Sequence, residues 1–496
     1  MHNDRKKVAG ALLIVLVFLF LGCSGKRNPP APPVKLVVAY PEYQKNAELS
    51  IVQEKIKEMA LRKIGVELAL MPIPRSDWTI QTDLLIANRT PVDLMTGGTL
   101  PFMKLSARIL EGKLKPLDEL LKEYGAGVVS AMDAEFLAAG RFQGKQFIVP
   151  TVRDFASSYS LLMRGDILRE AGIKPGSIRN LDDVETVLIK VKKAKPDIVP
   201  LIPYYALSTV MDGLQTWDKL GGTIGELPHF GDGTLVINIY ETEEYRDLLR
   251  RLHRWYRAGL IHPDAATNKT TWFDQMKTGS AFAVITASKP GFDSQQSLLA
   301  GREMVSAELI PPFSTTDNVI KFGWTMPATG EHPLEAMKLL SLLYSDAEFF
   351  TLLTCGIEGR HYVRTADGFI DFPPGLNSKT VAYSYVGTSW LFGNQFLGPV
   401  FKGDPATIWR DTADFNRRAI KSKALGFVFD ETPVKETVAA CKKTLVRYLP
   451  GLENGVLNPD IVLPEFLSAL TTAGSDKIIA EKQRQLNVWL EGTADR

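Results

Sequence analysis

The sequence predicts an α/β fold built as two lobes. Near its start, strand-like runs at 35–40, 66–70 and 93–95 are separated by helix-like segments at 49–59 and 77–88. This βαβαβ order is typical of a parallel sheet with helices on its faces. The chain has 496 residues, whereas a single core rarely exceeds roughly 250–300 residues. Two lobes are therefore expected.

Each element is predicted from periodicity and from stop signals. The first helix is predicted because Leu49, Val52, Ile56 and Met59 recur at helical spacing between charged residues. Later elements are predicted from similar patterns and from Gly or Asp-Gly residues, which mark turns and helix ends. The predicted elements are helices at 117–124, 166–171, 182–193, 242–258 and 476–490, a strand at 158–163, and hairpins at 142–149 and 229–238. Helices dominate after Pro333.

Bulk composition narrows the function classes. Hydrophobic residues make up 45% of the chain and charged residues 23%, and the net charge is +2. This composition is typical of a folded globular protein, and the small charge argues against a nucleic-acid partner. Of three cysteines, Cys23 belongs to the N-terminal region, which leaves Cys355 and Cys441. These two form either buried thiols or a single bridge.

The N-terminus has the pattern of an export signal. Three basic residues at 5–7 precede an apolar run at 8–21, which is short for a bilayer span of about 20 residues. The sequence Phe20-Leu21-Gly22-Cys23 resembles a bacterial lipobox. This resemblance implies a signal peptide at 1–22 and a lipid on Cys23, with palmitate as the expected acyl chain. The alternative is a plain signal peptide or an uncleaved anchor.

The segment 23–33 reads as a lipid anchor followed by a proline-rich spacer. With the lipobox, it implies localisation at the cell membrane, lipid-anchored on the extracytoplasmic face. Two acyl chains give stable attachment where one is marginal.

Seven segments in a fixed order carry a resemblance to a known family. They are 142–150, 164–173, 279–284, 356–363, 394–397, 424–430 and 473–486. The first three resemble motifs of the family 1 extracellular solute-binding proteins. The last four are similar to a subgroup of that family found among Gram-positive lipoproteins. The resemblance extends over nearly everything from Lys35 to the end.

The resemblance implies a two-lobed periplasmic-binding-protein-like fold of type II, with a ligand cleft between lobes that close by hinge motion. Crossings between the lobes are expected near 151–157, 281–286 and 322–327. The predicted lobes are, for the first, 34–152 plus 285–325 and, for the second, 153–284 plus 326–496. No cofactor and no metal is implied, and the protein is expected to act as a monomer.

The family's function implies a sugar site in the cleft, with rings for stacking and polar groups for hydroxyls. Candidate ligand contacts are Glu42, Tyr43, Arg153, Asp154, Tyr204, Tyr205, Trp324, Trp390, Asn394 and Gln395. The turn at 96–99 is expected to line the same cleft. Structural alternatives stay open: Glu42 as a helix-entry carboxylate, Asp154 as a hinge ion pair with Arg153, and the tyrosines and Trp324 as core residues.

Catalytic motifs are missing from the sequence. The six histidines form no metal-spaced pair, and no G-x-S-x-G elbow is present. The expected function is a non-enzymatic lipoprotein that captures a carbohydrate, for which the resemblance implies an oligosaccharide, and delivers it to the permease subunits of an ABC importer. The alternatives are a sensor lipoprotein that signals to a membrane kinase, a glycosidase using two carboxylates, and, as cargo, a peptide, a polyamine or another small polar solute.

Overall fold

The computed structural model describes residues 32–204, 208–222 and 224–494. The predicted signal peptide, the lipidated Cys23 and nearly all of the spacer lie outside these residues, as does Tyr205. Every sheet and core described below is built from residues after 33. A chain that begins at Ser24 therefore contains all of these elements.

Ten strands form the two main sheets. In chain order they are β1 Val34–Glu42, β2 Val66–Pro74, β3 Leu94–Gly97, β4 Val149–Pro150, β5 Ser157–Arg164, β6 Val199–Ile202, β7 Ala281–Ser288, β8 Met304–Ser314, β9 Gly323–Thr325 and β10 Ile420–Lys421. Two short hairpins accompany them, Arg141–Phe142 with Lys145–Gln146 and Val363–Arg364 with Ile370–Asp371.

The helices surround these sheets. In chain order they are α1 Leu49–Ile64, α2 Trp78–Ala87, α3 Leu105–Leu110, α4 Asp118–Tyr124, α5 Ala126–Ala131, α6 Ala134–Ala138, α7 Gly165–Glu170, α8 Leu181–Ala194, α9 Glu243–Arg257, α10 Trp272–Thr278, α11 Phe292–Ala300, α12 Thr316–Val319, α13 Pro333–Ser345, α14 Ala347–Cys355, α15 Ile408–Arg418, α16 Lys435–Glu453, α17 Pro459–Ala473 and α18 Ser475–Ala494. None of the helices in the described part of the chain is both long and apolar enough to span a bilayer.

The first sheet confirms the predicted parallel start of the fold. Its strand order is β2-β1-β3-β9-β4, and β1 runs parallel to both β2 and β3, with Val38 opposite Leu70 and Leu94. Helix α1 lies between β1 and β2 and buries the predicted face, Val52, Ile56 and Met59. It ends where Gly65 adopts a left-handed φ of 73°, a conformation that glycine adopts at little cost.

The second sheet has the order β10-β8-β5-β7-β6. Strand β5 is hydrogen-bonded on both edges, antiparallel to β8 and to β7. The predicted hairpin at 229–238 is wrong: residues His229–Gly231 form a 3-10 turn and Phe230 has a φ of 61°. The Phe230 ring instead packs 5.2 Å from Phe313 of β8, so a tertiary contact overrides the local turn signal.

Two hydrophobic cores define the lobes, and they divide the chain differently from the prediction. The first core includes Phe155, Met337 and Phe350, and the second includes Ile285 and Ala307. The predicted assignment of 285–325 to the first lobe fails for 285–314, because β8 pairs with β5 inside the second sheet, whereas 319–325 does pack in the first lobe. The assignment of everything after 326 to the second lobe fails because α13 and α14 contribute to the first core. Motif order gives no information about this packing.

The chain passes between the sheets at three places. The first connection, 151–156, joins β4 to β5, and the second, 315–322, joins β8 to β9. The third lies between Asp404 and α15. The crossing expected at 281–286 is instead strand β7, in the interior of the second sheet, and 322–327 lies at and after the end of the second connection.

The two described cysteines lie in different lobes and do not pair. Cys355 packs with Tyr362 and Ile370 beside the first core, whereas Cys441 belongs to the second core. Both are buried and free. Burial raises the pKa of the Cys355 thiol to about 11, so it is protonated and unreactive at neutral pH.

We expect two thiols in the chain from Ser24 that a thiol reagent reaches only after unfolding. In native buffer at pH 8, a disulfide reagent such as DTNB should release almost no thiolate, and in urea it should release two equivalents. Reductant should leave the melting temperature unchanged. Zero equivalents in urea without reductant would instead indicate a bridge.

The predicted motif at 356–363 has a structural role in the first lobe. Arg360 donates two hydrogen bonds to the Glu48 carboxylate, at 2.6 and 2.8 Å. The buried His361 accepts from the Ile357 amide through Nδ1 at 2.9 Å. Its Nε2 therefore carries the proton and donates to Glu48 at 2.8 Å. These bonds to Arg360 and His361 lower the pKa of Glu48 to about 2 and fasten the motif to the start of α1.

Substituting Glu48→Gln should lower the melting temperature at pH 7, because three charge-assisted hydrogen bonds are weakened, for a loss of about 1 kcal/mol at this partly exposed site. In the folded protein the pKa of Glu48 lies below the ordinary glutamate value of 4.5. The stabilisation is thus present above pH 4.5 and is lost as pH falls toward 2. The gap between wild type and variant should narrow over that range.

The matched control is Glu58→Gln, because Glu58 pairs with Lys55 on the exposed surface of α1 at 2.9 Å. Its effect should be close to zero. Equal melting temperatures for Glu48→Gln and Glu58→Gln would contradict the structural role of the motif.

Candidate functional site

Three aromatic rings form a shelf on the first lobe beside the connections between the lobes. The aromatic shelf consists of Tyr43 after β1, Phe322 at the end of the second connection, and Trp390. The Trp390 ring centroid lies 4.4 Å from that of Phe322 and 5.7 Å from that of Tyr43. Tyr43 is 41% exposed, so the shelf is open to solvent at this end. Phe322 is buried and Trp390 is half-buried, so Tyr43 and Trp390 supply the accessible ring surface, which suits the flat apolar faces of sugars.

A charged pair lies next to the aromatic shelf on the first connection. Arg153 donates to both carboxylate oxygens of Asp154, at 2.8 and 2.9 Å. Lys289, directly after β7 of the second lobe, lies 3.6 Å from the same carboxylate. The Arg153 guanidinium is also 5.9 Å from the rings of both Phe322 and Trp390. The pair thus links the shelf to the second lobe.

The electrostatics of the pair favour an ionised acceptor. Burial opposes ionisation of Asp154, but Arg153 and Lys289 outweigh it and hold the pKa of Asp154 below its usual value. Burial, and then the positive charge of Arg153, lowers the pKa of Lys321 on the second connection. At the end of β1, directly before Tyr43, burial raises the pKa of the Glu42 carboxyl.

The backbone of the first connection is held from both lobes. Asn416 of α15 accepts from the Phe155 amide at 2.8 Å and donates to the Arg153 carbonyl at 2.7 Å. From the first lobe, the Gln395 amide donates to the Val152 carbonyl at 2.9 Å. These bonds fix the position of Arg153 and Asp154 without a neighbouring strand.

The glycine turn after β3 supports the second connection. The Thr99 amide donates to the Ile320 carbonyl at 3.1 Å. A Cβ atom on Gly98 would lie 2.1 Å from the Lys321 carbonyl oxygen, so a larger residue cannot occupy this position without displacing the connection. Both glycines of the turn, Gly97 and Gly98, are buried. The turn predicted to line the cleft therefore lies beneath the second connection.

The structure brings together half of the predicted ligand contacts. Tyr43, Arg153, Asp154 and Trp390 form one cluster. Gln395 adjoins the cluster through its backbone, and its side chain donates to Ser389 at 3.0 Å. Their contact with a ligand stays a prediction. The cluster around Trp390 belongs to the first lobe, although the sequence analysis assigned it to the second.

Three predicted contacts lie elsewhere. Trp324 is fully buried in the first core, so its prediction as a ligand contact is wrong and the core alternative holds. Asn394 is buried, donating to the Tyr344 carbonyl at 3.3 Å and accepting from the Phe396 amide at 3.0 Å. Tyr204 stacks on Trp272 of the second lobe, with ring centroids 5.7 Å apart.

The sequence analysis missed Phe322 and Lys289 as parts of the site. Lys289 directly follows the end of β7, where the general rule for α/β sheets places ligand groups. Phe322 precedes β9 by one residue and, like Trp324, is buried in the first core, so the local pattern offered no signal for its contact with Trp390.

A concavity of about 680 Å³ lies in the first lobe between α1, α14 and residues 397–399. Its charged side chains pair with each other, as in Lys55 with Glu58 at 2.9 Å and Arg364 with Glu358 at 3.1 Å. Its lining includes no ring shelf and none of the residues of the connections, so we place the site at the aromatic shelf. Among the described residues, no group of three or more His, Cys, Asp or Glu side chains is arranged to hold a metal ion.

Comparisons with known proteins agree with this architecture. Residues 423–491 match a family described as a domain of unknown function, DUF3502. A carbohydrate ABC transporter substrate-binding protein of Streptococcus pneumoniae serotype 4 is 24% identical over 386 residues, which is 77% of each chain.

Solved structures share the whole fold. The crystal structure of an N-glycan transport solute binding protein, NgtS, from Streptococcus pneumoniae superposes with a TM-score of 0.81 and is 21% identical, covering 93% of this chain and all of the other. The same protein in complex with Man1GlcNAc gives a TM-score of 0.69 at 21% identity, over 92% of this chain and 99% of the other. The chain has the two-lobed fold of type II solute-binding proteins, and its motifs resemble those of the extracellular solute-binding proteins.

Proposed function

We propose that this protein captures an oligosaccharide between its two lobes and delivers it to an ABC importer. The observation that carries the proposal is the aromatic shelf with the Arg153–Asp154 pair beside it, at the connections on which the lobes turn. Rings supply stacking surface, and the ionised carboxylate and guanidinium supply directional hydrogen bonds to hydroxyls. A relative named as a carbohydrate transporter's binding protein supports the same class of ligand.

We infer that the protein is a carrier and not an enzyme. A glycosidase needs one carboxyl group that stays protonated to act as a general acid. Asp154 is held ionised by Arg153 and Lys289 and therefore does not serve as that acid; the inference rests mainly on the resemblance to carbohydrate-binding proteins of transporters. An intact sugar recovered after binding is the corresponding expectation.

The proposal extends to location and assembly. The lipobox-like sequence ending at Cys23 supports attachment to the extracytoplasmic face of the membrane through a lipid. Tethering near a permease raises the effective concentration of the carrier at its partner. We propose that the protein acts as a monomer, since each chain carries both lobes.

The first test is a thermal-shift screen of the chain from Ser24 against mono- and oligosaccharides. A ligand at about 100 times its Kd should stabilise the protein by about 2.7 kcal/mol. One sugar class should raise the melting temperature and be recovered unchanged by chromatography. Loss of the sugar would indicate an enzyme, and no shift with any carbohydrate would redirect the screen to peptides and polyamines.

Trp390→Ala should weaken binding of that sugar by about tenfold or more, because it removes the central ring of the aromatic shelf. Isothermal titration calorimetry measures the change. The matched control is Phe401→Ala, because the Phe401 ring packs 4.7 Å from Phe372 beside a small hairpin of the first lobe, away from the shelf. Equal affinities for the two variants would remove the shelf from the proposed site.

A further inference from the structure

The segment 421–429 contacts both lobes at once. We call it the interlobe segment; it runs from β10 toward α16 and lies at the start of the DUF3502 match. Its apolar side chains alternate between the two cores. Leu425 and Val428 pack against the first core, whereas Ala424, Phe427 and Phe429 belong to the second.

The contact with the first lobe is centred on α6. The Lys421 ammonium pairs with the Glu135 carboxylate and lies 5.0 Å from the Phe136 ring. Gly426 has a φ of 100°, and a Cβ atom there would lie 3.5 Å from the Ala138 carbonyl oxygen and 3.4 Å from Trp489. The interlobe segment is thus enclosed between α6 of the first lobe and α18 of the second.

The interlobe segment is also fastened to the second connection. The Thr316 hydroxyl donates to the Ala424 carbonyl at 3.1 Å and accepts from the Gly426 amide at 2.8 Å. The Ser422 amide donates to the Ser314 carbonyl at 3.0 Å. Any rotation of the lobes about this connection therefore acts directly on the interlobe segment.

On the opposite side the interlobe segment is fixed to the second lobe. The buried Lys482 of α18 lies 5.1 Å from the Phe429 ring, and Gln485 bonds both the amide and the carbonyl of Asp430 at 2.9 Å. The segment therefore moves with the second lobe, and its contacts with α6 and the first core are the ones that a rotation must change.

We propose that the interlobe segment is a latch that stabilises the arrangement of the lobes seen here and thereby sets the affinity for the ligand. This arrangement leaves the Tyr43 ring of the aromatic shelf 41% exposed, as expected of lobes that have not closed on a ligand. Contacts made in one arrangement and not in another bias the equilibrium between them. A protein held open binds more weakly by the fraction of molecules able to close. This inference rests on the proposed function, because it concerns regulation of the same site.

The test is a double variant, Leu425→Ala with Val428→Ala, in the chain from Ser24. Removing the contacts with the first core should tighten binding of the sugar found in the thermal-shift screen by about fivefold or more. It should also shift the distance distribution between spin labels on Leu110 of the first lobe and Leu298 of the second, both exposed, even without ligand.

The matched control is Val462→Ala with Leu467→Ala, because these side chains pack against the second core only. The control should lower the melting temperature but leave the affinity and the label distances at their wild-type values. If the interlobe variant keeps the wild-type affinity and label distances, as this control should, the latch proposal is wrong. If wild type binds no carbohydrate, the proposed function fails, while the ligand-free label distances still decide whether the latch exists.

Discussion

The structure depends on how the backbone amides and carbonyls of the connections between the lobes find hydrogen-bond partners. A chain that leaves one sheet and enters another loses its strand neighbours, and buried amides and carbonyls without partners are costly. The first connection solves this with Asn416 from the second lobe and Gln395 from the first. Because both lobes hold it, Arg153 and Asp154 stand in a defined geometry at the junction. The site is therefore a consequence of the way the chain crosses.

The second connection adds a constraint of volume. It passes so close to the turn after β3 that only glycine fits at Gly98, and it presents Phe322 to Trp390 at the aromatic shelf. The same connection bonds the interlobe segment through Thr316. The second connection thus contacts the shelf, the turn after β3 and the interlobe segment. A change in the interlobe segment therefore has a physical route to the site.

The C-terminal region that matches DUF3502, residues 423–491, packs into the core of the second lobe. Its Lys482 is fully buried and donates to the carbonyls of Lys219 and Gly225, at 3.1 and 2.7 Å. Burial raises the pKa values of the nearby Asp218 and Glu226 and lowers that of Lys482, and their opposite charges offset part of this cost. Such a network holds α18 in one register against the second lobe.

The sequence by itself determined the local elements, the α/β class and the resemblance to solute-binding proteins. Periodicity gave α1 and the parallel start of the first sheet, because the spacing of apolar side chains is fixed by helix and strand geometry. Ordered motifs gave the solute-binding fold, which the structural comparisons confirm. They also marked Tyr43, Arg153, Asp154 and Trp390, which the structure brings together.

Only the tertiary structure decided the lobe boundaries, the burial of Trp324 and the structural role of the motif around His361. These depend on contacts between residues far apart in the chain, such as β5 with β8 or Glu48 with His361, which no local pattern encodes. Trp324 and Phe322 illustrate the limit: both are aromatic, two residues apart and buried in the first core, and only the tertiary packing places the Phe322 ring against Trp390 and near Arg153.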